Sequence, residues 1–150
     1  MASVETVSLE LVAAYRRTEF RVADRGWSFV LRHDEHSKVL EECHRAFGVT
    51  CSAYITAWNP RSEVMSREQN EAAQARLEAE VQAAGLECLR GIGVDPSGPW
   101  PGEPSVLVLG ISTDDAMRLG REYGQNAIVL VGRDAVPRLT MIRREADAGV

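Results

Sequence analysis

Three unbroken apolar runs constrain this chain more than anything else in it: Ala53-Tyr54-Ile55, Val106-Leu107-Val108-Leu109 and Ala127-Ile128-Val129-Leu130-Val131. They are short and rich in β-branched residues, and polar residues do not alternate through them, so they read as buried strands. Each run borders a polar knot. Thr56-Ala57-Trp58-Asn59-Pro60 follows the first, Glu103-Pro104-Ser105 precedes the second, and Gly124-Gln125-Asn126 precedes the third. Amides and a carboxylate gathered where strands meet loops have the composition of a recognition site rather than of a solvated surface.

Between these runs the pattern alternates with helices. Ser8 caps a first helix that ends near Arg17. Strands follow over 19–23 and 27–32, joined through Asp24-Arg25-Gly26 as a hairpin. Ser37 caps a helix with a stripe of Val39/Leu40, Cys43 and Ala46/Phe47, stopped by Gly48. The stretch from Cys51 to Trp58 is nearly continuous in apolar character, which places it centrally in a sheet. Ser66 and Gln69 form a capping box for a helix over 67–84, closed by Gly85. Its stripe of Ala73, Leu77, Val81 and Ala84, extended back one turn, lands on Asn70, so a polar residue is aimed at the core side near the positive end of the helix dipole.

A strand over 86–90 leads into Gly91–Gly102, a Gly- and Pro-rich stretch carrying Trp100 and expected to be a long functional loop. Then come a strand over 104–110, a helix opened by Ser112 and Asp115, and strands over 126–131 and 136–142. The expected class is α+β: a mixed sheet of about five to seven strands with three or four helices packed on it, some strand–helix–strand units being parallel crossovers. A length of 150 residues suits a single domain over 1–150, with ends fraying at about 1–7 and 143–150.

Composition excludes several functions. A net charge of −5 argues against a basic face for duplex nucleic acid. No apolar run reaches the ~20 residues that span a bilayer, and Met1–Glu5 carries no secretory pattern, so a cytoplasmic location is expected. Cys43, Cys51 and Cys88 are odd in number and far apart, which suits reduced thiols.

Five blocks of residues, Tyr15-Arg16-x-Thr18, Ile55–Pro60, Asn70, Trp100 with Glu103-Pro104-Ser105, and Gly124–Ala127, together resemble a bacterial family catalogued as domain of unknown function 3293. The resemblance runs from about Tyr15 to Val131. It implies a compact stand-alone bacterial protein and carries no reaction with it. In one departure, Pro101-Gly102 separate Trp100 from Glu103.

The candidate site is Asn59, Asn70, Glu103, Gln125 and Asn126, flanked by Trp58, Trp100 and Arg16. Carboxamides both donate and accept, Trp rings stack on planar groups, and Arg16 suits a carboxylate or phosphate. Against this stands the ordinary use of such residues: amides at strand ends satisfy backbone groups, and Asn-Pro makes turns. Glu103 is the carboxylate of the group, a general base in one reading and a backbone acceptor in the other. His33-Asp34-Glu35-His36 lacks metal-ligand spacing and reads as a solvated loop. Gly91-x-Gly93 is followed by more Gly and Pro instead of a helix, so no dinucleotide fingerprint is present and no cofactor is expected. Three functions follow: binding of a polar small molecule, planar in one form, through an amide-rich pocket; a hydrolase or transferase with Glu103 as base; or a protein-interaction module with structural amides.

Overall fold

Four serines set the helix starts. In the computed structural model, which describes residues 6–99 and 101–145, Ser8, Ser37, Ser66 and Ser112 each accept the backbone N–H three residues further on. Each bond satisfies one of the donors that a helix start leaves open. The helices are α1 (Leu9–Arg17), α2 (Lys38–Ala46), α3 (Arg67–Ala83) and α4 (Thr113–Glu122). On α3 the capping box is complete, with Gln69 Oε1 accepting from Ser66 N at 3.3 Å. α3 ends at Gly85, whose φ of 79° a side chain would resist.

The strands are β1 (Thr6–Val7), β2 (Glu19–Asp24), β3 (Trp27–Leu31), β4 (Ser52–Ile55), β5 (Glu87–Val94), β6 (Glu103–Leu109), β7 (Ala127–Val131), β8 (Pro137–Met141) and β9 (Arg144–Glu145). Seven form one sheet in the order β3-β2-β5-β6-β4-β7-β8. Every pairing in it is antiparallel. The class is α+β, yet the sheet expected to be mixed is not, and the crossovers explain why. β4 and β5 run in the same direction with β6 between them, and β6 and β7 do so with β4 between them. Each strand–helix–strand unit thus skips one position, which an antiparallel strand fills. The segment β4-α3-β5-β6-α4-β7 is therefore a split, ferredoxin-like βαββαβ unit. The β2–β3 hairpin extends it on one side and β8 on the other.

Two cores flank the sheet, which is why the central strands are apolar without alternation. Ala53, Ile55, Val106, Val108 and Ile128 pack with Leu77 and Val81 of α3 and Leu119 of α4. On the opposite face Tyr54, Leu107, Leu109 and Val129 pack with Leu40 and Cys43 of α2 and with Phe20, Val22 and Leu31 of the hairpin. Full burial of each large aliphatic contributes roughly 1.5–3 kcal/mol.

The sheet curls until the chain leaving one edge reaches the other. Beyond β3, Asp34 N donates to Pro137 O at 2.7 Å and Ser37 N to Ala135 O at 2.9 Å. Leu139 N donates to His33 Nδ1 at 3.0 Å. The histidine-rich loop is thus a seam, and His36 turns instead to Glu41 at 2.9 Å.

Three further expectations need correction. β5 continues through Gly91 to Val94, so the irregular segment starts only at Asp95. A Cβ on Gly91 would stand 1.8 Å from Arg21 O and 2.9 Å from the Tyr54 hydroxyl. Glycine is there to let β2 come close, not to make a loop. On α2, Val39 is 40% exposed and the buried face is Leu40, Cys43 and His44. Residues 6–7 and 144–145, expected to fray, pair with each other in parallel. Among the described residues no helix is long and apolar enough to cross a membrane.

Candidate functional site

Beyond Ile55 the chain leaves β4 and is caught by amides from α3. Gln74 Oε1 accepts from Ala57 N at 2.9 Å, and Asn70 Oδ1 accepts from Asn59 N at 2.9 Å. Residues 70 and 74 lie one helical turn apart, so α3 presents two acceptors to alternate backbone N–H groups as a neighbouring strand would. Asn70 Nδ2 also donates to Asn59 Oδ1 at 2.8 Å, and Met65 N reaches the same oxygen at 3.0 Å.

These bonds hold a corner in an uncommon conformation. Asn59, Arg61 and Ser62 have φ of 44°, 58° and 60°, with Pro60 among them. Asn tolerates this region and the others less readily, so the corner stores strain that surrounding contacts must offset. One such contact is Arg61 N to Gly124 O at 2.7 Å. Gly124 packs against Pro60 so closely that an added Cβ would lie 2.9 Å from the Pro60 Cβ.

Ser62 faces a second polar group. Its Oγ lies 2.7 Å from the Tyr15 hydroxyl. Asn126 Nδ2 donates to both oxygens, at 2.9 Å to Tyr15 and 3.1 Å to Ser62. Arg143 Nη1 donates to Asn126 Oδ1 at 2.8 Å, and the Asn126 carbonyl accepts from the Ile142 and Arg143 N–H groups. Burial raises the Tyr15 pKa; the bonds from Ser62 and Asn126 lower it, the charge of Glu103 raises it, and that of Arg143 lowers it.

Glu103 opens β6 beside this group. Its side chain is half-buried and faces the side-chain amide of Asn59. Loss of water pushes its pKa up to about 7, with the Asn59 amide opposing the shift. Its backbone carbonyl accepts from Ser105 Oγ at 3.0 Å. Thr56 Oγ1 ties the same region together, donating to Pro104 O at 2.7 Å and accepting from Trp58 N at 3.0 Å.

Of the residues singled out in the sequence, Asn59 and Asn70 are bonded to each other, and Glu103 faces Asn59. Asn126 joins them through Tyr15, which lies in the field of Glu103. Gln125 lies alongside, but its Nε2 serves backbone, donating to Trp58 O at 3.3 Å and Tyr123 O at 3.2 Å. Trp58 is half-buried. Arg16 is exposed on α1 and shares no hydrogen bond with the cluster, whereas its neighbour Tyr15 does. Trp100 lies outside the described residues. Two surface clefts of about 540 and 210 Å³ lie elsewhere, the larger lined by Asp24, Arg25, Glu78, Cys88 and Arg90 and the smaller by Cys51, Thr113 and Arg138 among others.

Reading the sequence missed Ser62, Gln74, Tyr15 and Arg143 as members of the site. Tyr15 stood in a motif block, and Gln74 follows Asn70 at helical spacing. Ser62 and Arg143 carry no local signal, since each matters only through a partner at least 17 residues away.

No curated protein and no solved structure matches the chain. A family model described as "Protein of unknown function (DUF3293)" matches residues 55–128. Its bounds run from the end of β4 to the start of β7, nearly coinciding with the βαββαβ unit. They take in Asn59, Asn70, Glu103, Gln125 and Asn126, and leave Tyr15 and Arg143 outside. Over residues 55–128, this chain belongs to that family, the proteins of unknown function DUF3293.

Proposed function

We propose that the protein binds a polar small molecule at the Asn59–Ser62 corner, with Glu103, Tyr15, Ser62 and Asn126 as its contact groups. One observation carries this reading: three non-glycine residues within four positions are held at positive φ, beside a half-buried carboxylate and a hydroxyl pair. Strain of this kind persists where surrounding structure enforces it, and it clusters at ligand sites. A purely structural corner could use Gly at these positions without that cost. Three cysteines that form no disulfide with one another and the resemblance of its motifs to a bacterial family support reading it as a cytoplasmic bacterial protein.

A second reading is favoured by a specific feature. A carboxyl group titrating near 7 next to two hydroxyls 2.7 Å apart suits a general base, so the bound molecule is a candidate substrate for hydrolysis or group transfer.

The test is a thermal-shift screen against nucleotides, amino acids, sugars and amines. A ligand present at a hundred times its Kd adds ~2.7 kcal/mol and moves the midpoint of a chain this size by several degrees. The shift should vanish in Ser62→Ala, whose side chain is exposed. A hit that shifts wild type and Ser62→Ala equally refutes this location. Product formation from a hit, lost in Glu103→Gln even at saturating ligand, identifies the enzyme.

A further inference from the structure

We infer that the ligand carries a protonated amine, seated against the carboxylate of Glu103; this rests on the binding site proposed above. The argument starts from the charges around β6. Several cations of the neighbouring elements are already matched: Arg17 pairs with Asp95 at 3.1 Å, and Arg21 and Arg32 pair with Glu19 at 2.7 and 3.1 Å. Among the described residues Glu103 forms no ion pair, and its side-chain partner is the neutral amide of Asn59. A carboxylate has about four acceptor positions, more than one neutral amide can fill. Taking such a group half out of water without a counter-charge is costly.

An incoming cation reverses that cost. The carboxylate is already desolvated, so only the ligand's own charge has to lose water on binding. A neutral ligand leaves Glu103 uncompensated, and an anionic one adds repulsion. The hydroxyl pair fixes what stands beside the amine. Asn126 supplies one N–H to each oxygen, and Tyr15 and Ser62 share a third hydrogen bond. Two hydroxyls offer two hydrogens and four lone pairs between them. One hydrogen and one lone pair therefore remain for a hydroxyl or carbonyl of the ligand. A small amine bearing a neighbouring hydroxyl matches both halves of the site.

Protonation gives the inference its own signature. Glu103 must be ionised to hold an amine, and it titrates near 7. Among the described residues, the other titratable and charged groups of the site are Tyr15 of α1, whose pKa is raised, Arg61 of the corner itself, and Arg143, which acts on Tyr15 from the segment after β8. Tyr15 stays neutral between pH 6 and 8. Amine affinity should therefore rise roughly tenfold over that interval, and an acceptor ligand bound to protonated Glu103 would show the opposite trend.

The experiment uses the full chain labelled with ¹³C at Glu side-chain carboxyls, with the Glu103 resonance assigned by Glu103→Gln. Ethanolamine, ethylene glycol and acetate are titrated separately at pH 6 and pH 8. The expected result is that ethanolamine alone perturbs the Glu103 carboxyl, binds roughly tenfold more tightly at pH 8, and lowers the Glu103 titration midpoint. Ser62→Ala, which leaves the carboxylate in place, should weaken binding while retaining the pH dependence. If ethylene glycol or acetate perturbs Glu103 and ethanolamine does not, the cationic ligand is refuted while the binding site stands. If no probe perturbs Glu103 and the polar screen is also flat, both fall.

Discussion

Asn59 and Asn70 hold each other through two hydrogen bonds that run in opposite senses: Asn59 N donates to Asn70 Oδ1 at 2.9 Å, and Asn70 Nδ2 donates to Asn59 Oδ1 at 2.8 Å. One bond fixes the backbone of the strained corner and the other fixes the side chain that reaches Glu103. The start of α3, the exit from β4 and the carboxylate of β6 are thus one mechanical unit.

Because Asn70→Ala already breaks both bonds and Asn59→Ala one of them, their removals should not add. Asn59→Ala and Asn70→Ala are each expected to cost about 1–3 kcal/mol, since each leaves a partner unsatisfied. The double variant should cost little more than the worse single one. A double-mutant cycle by urea unfolding measures the coupling, and full additivity would break the unit apart.

Glu103 makes stability fall as pH rises. Its folded pKa of about 7 lies above the ordinary 4.5, so its contribution is fully present below 4.5 and is lost as pH climbs through 7. Glu103→Gln should therefore equal wild type near pH 4 and exceed it by roughly 1–3 kcal/mol at pH 8. Chemical denaturation at the two pH values reads the difference. Equal stability of the two proteins at pH 8 would place the carboxylate in water.

His44 pulls the other way. Its Nε2 lies 2.8 Å from Ser52 Oγ in the core, and burial lowers its pKa below 6.5. Its contribution is present above 6.5 and fades as pH falls below that value, with a slope limited to about 1.4 kcal/mol per pH unit. In His44→Gln, which stays neutral, that loss should disappear. Unfolding free energies between pH 7 and 5 check it, best measured in a Glu103→Gln background, where the opposing slope is absent.

Gly91 should not accept a side chain. The 1.8 Å approach of an added Cβ to Arg21 O is to backbone, so β2 and β5 would have to separate. Gly91→Ala is expected to cost more than about 3 kcal/mol. Gly85→Ala, with nothing within 4 Å of the new Cβ, should cost only the strain of its positive φ, about 1 kcal/mol. Comparable midpoints for the two variants would contradict the packing of β2 on β5.

The helices were legible because their signals are local. All four serine caps, the capping box of α3 and its glycine stop depend on residues within a few positions of each other. The aim of Asn70 toward the core was legible for the same reason, through the periodicity of Ala73, Leu77 and Val81, and it is 3% exposed. Gly91 was misread as loop because a glycine required by a neighbouring strand has the same sequence as one required by a turn. Arg143 was read as part of a fraying tail because its partner Asn126 lies 17 residues back, at the start of the neighbouring strand.

The sequence by itself therefore determined the α+β class, the helix limits, the burial of β4, β6 and β7, and the presence of amides at their ends. Periodicity, caps and apolar runs act over one or two turns or a single strand, and such interactions survive without knowledge of the rest of the chain. Only the tertiary structure decided that each crossover skips a strand, that the curled sheet joins its edges through His33, and that Tyr15, Ser62, Asn126 and Arg143 meet beside Glu103. Those choices rest on contacts between residues as far as 111 apart, as between Tyr15 and Asn126. The packing of two cores on opposite faces of one sheet selects them, and no local stretch of chain encodes it.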